Sequence, residues 1–259
     1  MTLTANGSQT KLSVHGSRVR TALATPPAAA ATVPVSPPAT IRTMIILLPD
    51  NLPTQQLDTA VLDRQFGVRA TPQPRFWARP DLKVWQRHSM IGLRKGRPAW
   101  CAGGPARLID LNGNRHAAGI GAAMRHHVWS SVVQGTRPAY PWHSYLAKHL
   151  TDPARYTRAA AEADFHAQPR VNAMRIHNAV NPAAGILDLG EIEMYQAGLV
   201  AYQHYSAATA ICADALLRAD GTRLAPAGDS FMVRTTYLEH ALRQMDTIDG
   251  GQRLIAVTL

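Results

Sequence analysis

The stretch from Asp188 to Arg218 limits the possible folds more than any other part of the chain. Ile192, Tyr195, Leu199, Tyr202, Ile211 and Leu216 recur there among Ala207, Ala208, Ala210, Ala213 and Ala215. Asp188 and Glu191 stand three apart at its start, the spacing of a capping box. The pattern predicts one long helix that is apolar around most of its girth. Such a helix must be surrounded by other elements. Its alanines let neighbouring helices come close.

The elements around it are read from their punctuation. Residues 117–134 form a helix closed by Gly135, and residues 141–150 form one opened by Pro141. Asp152 stands before Pro153 as the cap of a third helix, to about Gln168. Pro169 opens a fourth, to about Val180. Asp229 or Ser230 caps a last helix, to about Met245.

The first half is mixed. Met44–Leu48 reads as a buried strand ending at Pro49-Asp50-Asn51. Thr54 caps a helix through Phe66, and Gly67 stops it. Pro72, Pro74 and Pro80 forbid a regular helix, so residues 68–80 are extended. Asp81 caps a short helix over 82–91. Residues 106–111 read as a strand that ends in an Asn112-Gly113 turn. Residues 254–259 read as another, placed to pair with 44–48.

Three strands so far apart predict no doubly wound sheet. The expected fold is mainly α, a helical bundle, with a small β-sheet component and a disordered N-terminal arm. Residues 1–40 form that Ala/Pro/Thr-rich basic arm, which has no apolar core of a secretory signal. Residues 41–114 form a basic α+β segment. Residues 115–259 form the helical bundle, its C-terminal strand packing on the first part.

Charge separates the same two halves. Residues 1–150 hold 18 Lys and Arg against 5 acids, and residues 151–259 hold 9 against 12. A net charge of +10 points to a polyanionic partner. The surplus is densest where it meets aromatic rings. Arg69, Arg75, Arg79, Lys83, Arg87, Arg94, Lys95 and Arg97 are interleaved with Phe76, Trp77, Trp85 and Trp100, and Asp81 is the one acid among them. Cations neutralise phosphates, and flat rings stack on bases. The expected nucleic-acid-binding residues are Arg69, Arg75, Trp77, Arg79, Lys83, Trp85, Arg87, Arg94, Lys95 and Arg97. The alternative is that the tryptophans are core anchors and the cations a solvated rim.

Other chemistry is weakly signalled. Glu193, Gln196, Gln203, His204 and Tyr205 place polar groups on the apolar helix, where they could line a small-ligand pocket. The helical half could also serve assembly or regulation, even by basic-to-acidic self-contact. Eleven histidines show no metal spacing: His126 and His127 diverge by about 100° on a helix. Cys101 with His116 or His126 could form a nucleophilic pair, though nothing nearby activates the thiol. Gly119 and Gly121 lack the third glycine of a dinucleotide loop and read as close-packing positions. No metal, no cofactor and no membrane partner is expected, and a cytoplasmic setting fits two distant cysteines.

Overall fold

The structure, a computed structural model, describes residues 37–49, 57, 59–181 and 186–259. The expected arm up to residue 36, and the Thr54 cap, lie outside these residues.

Strand β1 (Thr43–Leu48) is apolar at five successive positions because both its faces are covered. Ile45 and Leu47 join the larger core with Phe76, Trp129, Tyr195 and Tyr202. Met44, Ile46 and Leu48 join a smaller core on the opposite face with Leu57, Leu62 and Ala70. The partner strand β8 (Arg253–Thr258) divides in the same way, Leu254 and Ala256 from Ile255 and Val257. Helix α1 (Thr59–Phe66) supplies Leu62 to that second face and stops at Gly67, whose φ is +63°.

The expected pairing of the two chain ends is present. β1 and β8 run antiparallel from Thr43↔Thr258 to Leu48↔Arg253. Around this pair lie β2 (Thr71–Pro72), β5 (Gly103–Pro105), β6 (Ala215–Leu217) and β7 (Arg223–Leu224). The path is β2-β8-β1-β6-β7, with β5 also on β8. Only β1 and β6 are parallel among the described strand pairs. Gly103 lets β5 close on β8, since a Cβ there would collide with the Leu254 carbonyl oxygen. A separate ribbon joins β3 (Phe76–Trp77) to β4 (Trp100–Cys101).

Helices make up most of the chain's regular structure. α2 (Leu111–Val132) lies antiparallel to α7 (Leu199–Cys212), with Gln203 bonded to the Gly119 carbonyl and Arg125 to Tyr202. α3 (Trp142–Thr151), α4 (Arg158–Ala167) and α5 (Pro169–Val180) pack in succession. Phe165 sits edge-on to both Trp142 and Tyr145. α6 (Ile192–Gln196) precedes α7, and α8 (Phe231–Asp246) is capped by Ser230 through the Val233 amide, as expected.

Four local expectations are corrected. The long helix over 188–218 is broken at Gly198, whose φ of +99° and ψ of 164° suit only glycine. Its last turn is strand β6, because the Asp214 carboxylate takes the amides of Arg42 and Thr43 and sets β6 beside β1. Residues 106–108 form a 3-10 turn instead of a strand. Asn112-Gly113 is the first turn of α2, since Asp110 accepts the Gly113 amide at 2.9 Å and caps that helix. Asp81 caps nothing: it pairs with Arg79, and the helix expected over 82–91 is a 3-10 turn over Val84–Ser89. Thr157, not Asp152, caps α4 through the Ala160 amide.

Candidate nucleic-acid interface

The basic stretch is shaped by the β3–β4 ribbon. Trp77 pairs with Trp100 across it, and their rings meet edge to face at 5.9 Å. Arg94 and Trp100 then exchange two backbone hydrogen bonds, of 2.7 and 3.2 Å. These close the loop 95–99 and hold its cations beside the ribbon. On the other side the Asp110 amide donates to the Trp77 carbonyl, which fixes the head of α2 next to Trp77. The Asn114 side chain accepts the Trp77 amide as well.

Between these parts lies a cleft of about 780 Å³. Its apolar wall is Trp77, Leu82, Leu93 and Pro98. Five cations surround that wall: Arg79, Arg87, Arg94, Lys95 and Arg97, against the single carboxylate of Asp110. Arg79 is held by Asp81 at 3.0 Å. The bond from Arg79 holds the Asp81 carboxyl below the usual carboxylate range. Arg87, Arg94, Lys95 and Arg97 are exposed and make no ion pair among the described residues. A smaller hollow of about 480 Å³ adjoins the cleft at Arg79, Pro80 and Asp110 and adds Arg115.

Six of the ten expected residues thus come together: Trp77, Arg79, Arg87, Arg94, Lys95 and Arg97. Trp85 lies outside the cleft on the 3-10 turn that carries Arg87. It is 64% exposed, with the Lys83 ammonium 6.0 Å from its ring centre. Arg69 is apart, near Asp63 at the end of α1.

Arg75 has a different task. Its Nε donates to the Ala210 carbonyl at 2.9 Å and its Nη2 to the Thr209 carbonyl at 2.6 Å. Both lie in the last turn of α7, where carbonyls run out of helical amides; the Thr209 carbonyl also accepts the Ala213 amide. Burial pushes its pKa down and the nearby Asp214 opposes this. Spacing alone could not separate Arg75 from its neighbours. Leu82, Leu93 and Pro98 also gave no signal, being ordinary apolar residues until the ribbon aligns them.

The residues expected to line a second pocket do not converge on one space. Gln196 is spent on the Ala139 amide and carbonyl and on Arg170. Gln203 bonds the Gly119 carbonyl, and His204 is exposed. Glu193 accepts the Phe231 amide at 2.9 Å and lies 3.8 Å from His143. Tyr205 lines a chamber of about 180 Å³ with His143, Glu191, Asp214, Asp229 and Arg234. Its acids are largely occupied by the protein. Asp214 and Asp229 hold Arg234 at 3.3 and 2.6 Å and bind the backbone of residues 40–43. Glu191 accepts from the Tyr202 hydroxyl, which in turn accepts from Arg125.

Among the described residues no three His, Cys, Asp or Glu side chains form a metal-binding group. Burial pushes the thiols of Cys101 and Cys212 up to about 12, which removes the thiolate a nucleophile needs. Among the described residues an added Cβ at Gly119 meets nothing within 4 Å, so the expected close packing does not explain that glycine. No described helix is long and apolar enough to cross a membrane. Comparison of the chain with protein-family models, curated proteins and solved structures gave no match.

Proposed function

We propose that this chain is a non-enzymatic nucleic-acid-binding protein whose cleft beside Trp77 receives the phosphate backbone. One observation carries the reading. Five cations face one concave, apolar-walled space, and four of them have no carboxylate partner among the described residues. Like charges gathered in one cleft repel each other, and a polyanion relieves that repulsion. The cleft volume falls in the range of about 300–1,000 Å³ that ligand sites occupy. Lys11, Arg18 and Arg20 in the N-terminal stretch add to the attraction.

The test is a salt titration of binding to labelled strands and duplexes. Four neutralised phosphates predict a slope of log K against log salt of about −3 for a single strand. That slope is a loss of roughly 60-fold between 50 and 200 mM salt. Replacing Arg87, Arg94 and Arg97 together by alanine should flatten it by about 2. Affinity that ignores salt would sink the proposal.

A further inference from the structure

We infer that the cleft takes single-stranded nucleic acid, with a base lodged against the Trp77 wall and a neighbouring base stacked on Trp85. This rests on the reading above and adds the form of nucleic acid to it. The argument is about where the apolar surface lies. In a duplex the phosphates face outward and the bases are already stacked inside. A duplex laid on the cationic rim would satisfy Arg87, Arg94, Lys95 and Arg97 but leave the wall of Trp77, Leu82, Leu93 and Pro98 unfilled. An unpaired strand carries flat apolar faces and phosphates on one flexible chain. It can fill the wall and meet the rim at once.

Trp85 is the second, independent observation. It leaves 64% of its surface in water, and the adjacent Val84 leaves 78%. Both sit on a 3-10 turn with no buried residue, so packing does not explain them. Lys83 and Arg87 flank this ring, two residues away on each side. A sequence-tolerant stacking platform has this composition: an open ring between phosphate-neutralising cations.

The experiment uses the full chain and three 20-nucleotide probes labelled at one end: oligo(dT), an abasic strand of equal charge, and a duplex. The abasic strand keeps the phosphates and removes the rings. Oligo(dT) should bind about tenfold or more tightly than the abasic strand, the scale of one or two stacked bases, and more tightly than the duplex. Trp85→Ala should cost oligo(dT) at least about fivefold, leave the abasic strand unaffected and leave the salt slope unchanged. Trp85 is exposed, so the variant keeps its fold, and an unaltered melting curve verifies this. Equal affinity for all three probes would overturn the single-strand inference while keeping the cleft as a phosphate site. So would equal losses on oligo(dT) and the abasic strand in Trp85→Ala. Binding to none of the probes would overturn both readings.

Discussion

Arg75→Ala tests whether the basic stretch is divided between folding and binding as the structure divides it. The wild-type guanidinium places two hydrogen bonds, of 2.9 and 2.6 Å, on carbonyls at the end of α7. Hydrogen bonds from a charged donor contribute about 1.5–3 kcal/mol each. Water replaces part of this at a half-buried site, so the combined loss should be about 3 kcal/mol. The loss of favourable charge at a helix C-terminus is included in that figure. For a chain of this size each kcal/mol moves Tm by about 2–4 °C, so Tm should fall by about 6–12 °C. Circular dichroism melting measures it. Arg75→Lys should recover only part of the loss, because an ammonium cannot present the fork that spans two carbonyls. Below its Tm, Arg75→Ala should keep the wild-type salt slope in strand binding. A variant with unchanged Tm and a slope flattened by about 0.7 would refute the reasoning and make Arg75 a phosphate contact.

Two further outcomes are expected. Gly119→Ala should stabilise the chain by about 0.5–1 kcal/mol, because the site is mid-helix and a new Cβ has open space, a gain read from urea unfolding. Glu191→Gln tests the part-buried Glu191–Tyr202–Arg125 chain by its pH dependence. Burial raises the Glu191 pKa above its ordinary 4.5, with the Tyr202 bond pulling the other way. A carboxyl with a raised folded pKa supports the fold below its unfolded value and loses that support as pH rises through the folded one. The glutamine variant should therefore gain stability over wild type at pH 8 and lose that advantage by pH 4. An equal difference at both pH values would contradict it.

Patterns of local origin were legible in the sequence. Met44–Leu48 is apolar at every position because strands buried on both faces need no alternation, and the run announced itself. Pro169 and Ser230 opened the helices they were expected to open, since caps and N1 prolines act within one turn. The clustering of cations and tryptophans over residues 69–100 was visible as composition. Most of it did become one cleft.

Other features were settled only by contacts far apart in the chain. Ala215–Leu217 has no local reason to leave a helical pattern. It does so because Asp214 binds the amides of residues 42 and 43, more than 170 residues earlier. Ala213 is held at a φ of +56° to make that turn, a conformation its own side chain disfavours. Asp110 looked like the end of a strand and proved to be the cap of α2, because the next turn found a helix to pack on. The division among the arginines has the same origin. Guanidinium groups are chemically identical along the sequence. Arg75 differs from Arg87 and Arg94 only because the sheet carries it to the carbonyls at the C-terminus of α7, while the others are left facing water. Charge and propensity are properties of the residues themselves. Which charge is spent on the fold and which is left for a partner depends on what tertiary packing brings within hydrogen-bonding reach.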